Sequence, residues 1–443
     1  MHHIRFTWTV KIGQSFPMNR IVASCAVGLM SLPTILSAAP SFVTLDQAPS
    51  GRWQLLRNGE PYAIRGAGGY TNLKLLRDLG GTTIRTWGVD QLGPTASGQY
   101  LLDECDDLGL TALVGLWVNH PRHGHDYSDE AMLQKQRDRI RAAVRKYRNH
   151  PALLIWGLGN EMEGDGQDPR VWRELEVLAR IVKAEDPNHP ICTVLAGTGE
   201  GKIQAMIPQY TSLDILGINI YSGAENVDAQ LAVQGWDRPF LLAEFGPRGH
   251  WEVPTTAWNA PIEPTPAAKA AAYTQSYQGS MNEGRGLCLA AFAFIWGQKQ
   301  ETTATWYGMF LPTGEKTPVV DAMARAWSGK NPPNQSPIIS ALRADFRERS
   351  AAPQSVHQVT VEVTDADHDS LQYDWQVVAE STDIKQGGDR ESIPPEIPDC
   401  VLQGDGPEAT IRLPAQPGPY RVFVYIRDGQ GNGTSSNFPF LVE

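Results

Sequence analysis

The feature that most constrains this chain is an alternation, repeated eight times, of a short apolar run with a connecting segment. The runs are Ile64 to Gly69, Gly81 to Trp87, Leu110 to Val118, Ala152 to Leu158, Ile191 to Ala196, Leu213 to Tyr221, Phe240 to Glu244 and Leu287 to Trp296. Each is rich in apolar residues along its length rather than at every second position. That suits strands of a parallel sheet covered on both faces better than half-exposed strands. Between them Leu73 to Leu79, Leu101 to Leu108, Asp129 to Arg148 and Val171 to Glu185 have helical spacing, and Thr317 to Trp327 would close the set. Eight such steps predict an α/β fold, a (β/α)8 TIM barrel. Upstream, Trp53 to Leu56, Asn58-Gly59 and Tyr62 to Ile64 read as a hairpin, because Asn-Gly supplies the positive φ angles of a two-residue turn.

The two ends of the chain have other patterns. Met18-Asn19-Arg20, the apolar segment Ile21 to Leu36 and Ser37-Ala38-Ala39 read as a secretory signal over residues 1–39, with Met1 to Pro17 expected as an over-extended start. The barrel is then expected over 40–330, a proline-rich linker over 331–340 and a smaller all-β sandwich over 341–443. Val359 to Val363, Leu371 to Val378, Ala409 to Leu413 and Tyr420 to Arg427 alternate apolar and polar residues as strands of such a sandwich do. Asp365, Asp367 and Asp369 start like a calcium loop, but Ser370 and Gln376 stand where its glycine and glutamate belong, so a solvated acidic turn is expected. A signal implies a secreted or periplasmic protein with no stable membrane insertion after cleavage. Cys105, Cys192, Cys288 and Cys400 remain after it, in spacings with no metal pattern, and are expected as buried thiols.

Charge narrows the function. Lys and Arg total 38 against 49 Asp and Glu, a net charge of -11, so no nucleic-acid partner is expected. The carboxylates carry more information. Asn160-Glu161 follows the fourth run, in ALLIWGLGNEME, and Glu244 ends the seventh, in PFLLAEFG. The carboxyl ends of barrel strands are where ligands bind, and the fourth and seventh strands face one another across the mouth. Two carboxylates there suit glycoside cleavage, in which one must be protonated to donate to the leaving oxygen while the other is ionised.

From about Trp53 to Trp327 the chain resembles the clan A retaining glycoside hydrolases, the (β/α)8 enzymes that include families 2 and 5, on Asn160-Glu161 after strand four and Glu244 after strand seven. The resemblance implies Glu161 as general acid/base and Glu244 as nucleophile. It also implies Asn160 as the residue holding the sugar 2-hydroxyl, Arg85 as the arginine steadying the nucleophile, Tyr221 as a hydrogen-bond partner of Glu244, and Trp296 as the floor under the cleaved sugar. Two departures bear on the family: the sandwich domains usual upstream in family 2 are missing, and Asn219 stands where family 5 often has a histidine.

The expected activity is therefore hydrolysis of β-linked oligosaccharide or polysaccharide, of β-glucan type, with no cofactor required. The aromatic rim motivates the glucan: Trp117 and His120 end strand three, Trp251 and Trp258 lie after strand seven, and Trp306 and Tyr307 after strand eight. Trp117, His120 and Trp306 are counted among the substrate-binding residues. A β-glucan transglycosylase would use the same residues, and a non-catalytic carbohydrate-binding protein is the third reading, which the intact glutamate pair argues against. His120, His123 and His125 do not form a closed metal ligand set, so no metal is expected.

Overall fold

A computed structural model describes residues 40–199, 201–282 and 284–443, which belong to one compact unit. The signal-like segment 1–39 lies outside the described residues. Eight parallel strands close into a barrel: Gly66–Gly68, Thr83–Arg85, Thr111–Leu116, Leu153–Asn160, Ile191–Ala196, Ile215–Asn219, Phe240–Phe245 and Cys288–Phe294. All eight fall within the apolar runs read from the sequence or extend them by one or two residues. The closing pair is the eighth strand with the first, Phe292 opposite Gly66 and Phe294 opposite Gly68.

The barrel interior is a packed core. Leu113, Leu154, Ile155, Cys192, Val194, Ile215, Leu241, Ala243 and Phe292 form one buried cluster, and Val43, Leu55 and Ile64 of the N-terminal hairpin cap it from below. That hairpin pairs Trp53–Arg57 with Glu60–Pro61, and Val43–Gln47 adds a third strand. With its lower end plugged, the barrel leaves its chemistry to the upper rim.

The outer helices explain their own boundaries. Asp129 accepts hydrogen bonds from the Ala131 and Met132 amides and so caps the helix Glu130–Tyr147. Asp168 caps Pro169–Glu185, whose Pro169 occupies the first turn, where a missing N–H costs nothing. Val171, Trp172, Leu175, Leu178, Ala179 and Val182 face inward on that second helix, each large side chain contributing about 1.5–3 kcal/mol by burial. Among the described residues no helix is long and apolar enough to cross a membrane.

Beyond the barrel two four-stranded sheets pack face to face. One runs in the order Ile338–Arg343, Val356–Thr364, Glu408–Arg412, Val401–Gln403, and the other Ser350–Ala351, Gly433–Val442, Gly418–Arg427, Gln372–Ala379. Their inner faces bury Val359, Trp375, Ile411, Val422, Val424, Phe438 and Phe440. Four strands were not read from the sequence, the short Ser350–Ala351 and Val401–Gln403 and two longer ones. Ile338–Arg343 begins inside the segment read as linker, and Gly433–Val442, read only for its turn residues, is a ten-residue strand. Cys105, Cys192, Cys288 and Cys400 are buried and unpaired, and burial pushes the Cys105 thiol up to about 12.

The sandwich docks on the barrel through buried polar groups. Arg421 pairs with Glu380 and donates to Asn437 Oδ1 at 2.7 Å and to the Pro261 carbonyl at 2.8 Å, while Asn437 donates to Glu263 at 2.7 Å. Glu263 is also held by Lys269, Thr303 and Thr305. A buried cation with all its partners in place fixes orientation, because any other docking would leave a charge without compensation.

Candidate active site

The fourth strand ends in an unusual backbone turn. Gly159 has φ +81°, and a Cβ there would come within 2.3 Å of Met162 Sδ, so only glycine fits. Glu161 follows with φ 52°, a conformation that costs a non-glycine residue about 1–3 kcal/mol. The Glu161 amide is held by the Val194 carbonyl at 2.9 Å, and this fixes the twisted end against the fifth strand. Glu163 braces the same corner, accepting from the Ala196 amide at 2.8 Å and from Lys202 at 3.0 Å.

Glu244 ends the seventh strand and accepts three hydrogen bonds. Arg85 Nη1 donates to Oε1 at 2.9 Å, Trp87 Nε1 to the same oxygen at 2.8 Å, and the Tyr221 hydroxyl to Oε2 at 2.7 Å. Arg85 is 1 % exposed and reaches further, to the Ala243 carbonyl at 2.7 Å and to Asn160 Oδ1 at 2.6 Å. One guanidinium thus ties the ends of strands two, four and seven together. The close approach of strand three to strand two supports Trp87: a Cβ on Gly115 would lie 2.2 Å from the Trp87 carbonyl carbon.

Glu161 has a different environment. Its polar partner is Asn219, whose Nδ2 donates to Oε1 at 2.7 Å and to Asn160 Oδ1 at 3.1 Å. Burial first, and the charge of Glu244 second, push the Glu161 carboxyl up to about 7, against the opposing pull of the Asn219 hydrogen bond. Glu163 adds to the rise and Arg85 opposes it. Two carboxylates in one cavity therefore differ in kind: one is held by a cation and two neutral donors, the other is poised to carry a proton near neutrality.

Both open into a cavity of about 1040 Å³. Trp87, Trp117, Asn160, Glu161, Asn219, Tyr221 and Glu244 line its floor and near wall, with His250, Trp251, Phe294, Lys299 and Glu301 around them. Trp117 faces this cavity. Three other residues expected to bind sugar do not. Trp296 is fully buried with its ring against Phe310 and Trp327, on the outside of the strand end, so it presents no face to the cavity. Trp306 is 1 % exposed and donates to the Arg248 carbonyl at 3.0 Å, which pins the strand-seven loop instead of presenting a face. His120 stacks on Trp117 and lines a separate cavity of about 330 Å³ with His123 and His125; burial holds its imidazole down to about 4, hence neutral.

The sequence reading missed Trp87 and Asn219 as partners of the two glutamates, and also Phe294. Each sits within two residues of a predicted site residue or at a strand's end, so position alone could have flagged them. It also missed Ile384 to Asp389 of the sandwich, which line the same cavity. Their one signal was a loop too long for the sheet it joins.

Residues 95–250 match the family model described as glycosyl hydrolases family 2, TIM barrel domain. A β-galactosidase of Oenococcus oeni is 23% identical over 203 residues, which cover 42% of this chain and 19% of that protein. A second, from Leuconostoc mesenteroides, is 27% identical over 163 residues, covering 34% and 14%. The chain thus spans less than a fifth of the length of these relatives. Among solved structures, β-glucuronidase 2 of Bacteroides uniformis, covalently bound to cyclophellitol-6-carboxylate aziridine, superposes with a TM-score of 0.50 and 15% identity, over 91% of this chain and 48% of that one. The matched segment holds both rim glutamates, and over it the chain is similar to the TIM barrel domain of glycosyl hydrolases family 2.

Proposed function

We propose that this protein is an exported retaining β-glycosidase, hydrolysing β-linked glycans of β-glucan type by double displacement. The observation that carries the reading is the unlike pair at the barrel rim, Glu244 with three donors including a cation and Glu161 raised to about 7. In the first step the Glu244 carboxylate attacks the anomeric carbon, the glycosidic C–O bond breaks, and the leaving oxygen takes the proton from Glu161. In the second, Glu161 takes a proton from water, the water oxygen bonds to the anomeric carbon, and the bond to Glu244 breaks. Asn160, fixed by Arg85 and Asn219, is positioned to hold a sugar hydroxyl beside the reacting carbon. Trp87, Trp117 and Trp251 supply apolar faces for the rings, the feature that favours a glucan.

The test is turnover and stereochemistry on nitrophenyl β-glycosides and β-linked oligosaccharides. Both Glu161→Ala and Glu244→Ala are expected to lose hydrolysis. Azide should rescue Glu244→Ala with inverted configuration, and Glu161→Ala should keep residual activity on substrates with good leaving groups. Full activity in either variant overturns the assignment, and an inverted first product from the wild type overturns double displacement. Longer products in the presence of acceptor sugars would assign the same residues to glycosyl transfer.

A further inference from the structure

We propose that the C-terminal sandwich is part of the sugar pocket: its loop from Glu380 to Glu396 forms the wall against which the glycone end of the substrate rests. This rests on the glycosidase reading above and adds to it a specificity element carried by a different sheet.

The loop leaves the strand Gln372–Ala379 and returns toward Val401–Gln403, its base tied by the Ala379 amide to the Pro395 carbonyl at 3.0 Å and by the Ile397 amide to the Val377 carbonyl at 2.7 Å. Between these ties it crosses the barrel mouth. On one side Asp389 meets His123 Nε2 at 3.0 Å and Arg122 Nη2 at 3.4 Å, both from the loop after strand three. On the other, Glu391, 4 % exposed, accepts from the Thr302 amide at 2.6 Å in the loop after strand eight, and from its own loop's Lys385 amide at 3.0 Å. Asp383 accepts from the Ser392 amide and hydroxyl, each at 2.9 Å, so the crossing segment is closed on itself as well as clamped at both ends. A loop with those attachments is a fixed wall.

The side it closes follows from the order of strands around the barrel. Anchors on the third and eighth strands put the loop over the ends of strands one and two, where the barrel's own connection after strand one is only four residues, Gly69 to Asn72. Across the mouth, the rim beyond strand six meets the cavity with Ile220, Tyr221 and Ser222, and the rim beyond strand five with Ala196 and Gly197, both small. Glu161 lies toward that low rim, since strand four neighbours strand five. A proton donor stands beside the leaving oxygen, so the leaving group departs over Ala196 and Gly197. The sugar that becomes attached to Glu244 then points the other way, toward Ile384, Lys385 and Gln386. Ile384 is 47 % exposed and lines the cavity, an apolar side chain available for a ring face, and the Lys385 ammonium, paired with Asp383, has further N–H donors for hydroxyls. A pocket walled at the glycone end admits a chain terminus and refuses an interior unit.

The experiment uses the full chain and two substrates sharing one glycone, an aryl β-glycoside and a β-linked disaccharide, plus a trisaccharide extended at its non-reducing end. Wild-type turnover of any of them, abolished by Glu244→Ala, establishes the glycosidase reading independently of the wall. The variant Ile384→Ala/Lys385→Ala is expected to raise KM for the aryl glycoside and the disaccharide by the same factor, about tenfold, with kcat falling less than KM rises. Replacing Ile384 to Asp389 by three glycines is expected to let the extended trisaccharide be cleaved faster relative to the disaccharide. If that shortened chain fails to fold, the double variant alone decides. An effect confined to one leaving group, or KM unchanged for both substrates, overturns the proposal.

Discussion

Removing the charge of Glu244 should release Glu161 from part of its raised proton affinity, and the size of that release tests the electrostatic logic of the site. Glu161 titrates at about 7 because it is buried and because an anion shares its cavity. Glu244→Gln keeps the shape and removes the anion. A charge within about 6 Å moves a carboxyl by about one to three pH units, and since burial is the larger part of the rise from 4.5 to about 7, the fall in the variant should lie at the low end, about one unit. Arg85, left without its anionic partner at 2.9 Å, acts in the same direction, since its charge already lowers Glu161. Burial is untouched and is the larger cause, so Glu161 should still titrate above the ordinary 4.5. The measurement is a 13C-detected carboxyl titration of wild type and Glu244→Gln, with Glu161→Gln assigning the signal. The proposed double displacement needs this fall: esterification of Glu244 by the sugar would remove its charge, and Glu161 would become base enough to take a proton from water. An unchanged Glu161 in Glu244→Gln would refute the coupling and, with it, the proposed change of role between the two steps.

Other perturbations separate the remaining parts of the site. In the wild type the acid form of Glu161 is present below about pH 7 and lost as pH rises through it, so kcat/KM should fall on that limb; Asn219→Ala removes a hydrogen bond that lowers the carboxyl and should move the limb to higher pH. Trp87→Phe removes a 2.8 Å hydrogen bond to Glu244, and a bond to a charged group contributes about 1.5–3 kcal/mol, so kcat/KM should drop by about 10- to 150-fold. Trp296→Phe should instead lower the melting temperature and leave KM unchanged, because that ring packs on Phe310 and Trp327 away from the cavity. Arg421→Met strips the buried Glu380 and Asn437 of their partner and should cost about 3–5 kcal/mol in chemical denaturation, with the sandwich the first part to lose protection in hydrogen exchange.

The barrel was legible because its information is local. The strands are mostly apolar along their length, and five of the connections carry visible helical spacing, so the eight steps could be counted without knowing which strands touch; the helices Lys202–Met206, Val227–Val233 and Pro266–Asn282 after strands five to seven went unread. The rim glutamates were legible for the same reason, as carboxylates placed immediately after buried strands. What the sequence hid depends on side-chain direction at strand ends. Phe294 and Trp296 both lie in the eighth run, and period two would put them on one face, but the strand ends at Phe294 and the chain turns: Phe294 faces the cavity while Trp296 packs behind it. An argument from alternation holds only as far as the strand does. Trp306 fails for a related reason, since an irregular loop has no periodicity from which to read which ring is the pin and which the platform.

The sandwich shows the complementary limit. Four of its strands could be read from alternation; among the others the longest is Gly433–Val442, where Asn437-Phe438-Pro439-Phe440 sits at the domain interface and Asn437 points at Glu263 of the barrel. A strand that is buried on one face by its own sheet and on part of the other by a neighbouring domain loses the polar half of its pattern. Ile384 to Asp389 were hidden more completely. Nothing in their composition suggests a sugar site, and their place in the cavity follows from three contacts more than eighty residues away in sequence: Arg122 and His123 to Asp389, and Thr302 to Glu391. Such pairings are set by how one sheet docks on another, which the buried Arg421, Glu380 and Asn437 determine. Mutations at that distant interface should therefore reach the pocket through the loop, by moving the wall relative to a rim that stays in place.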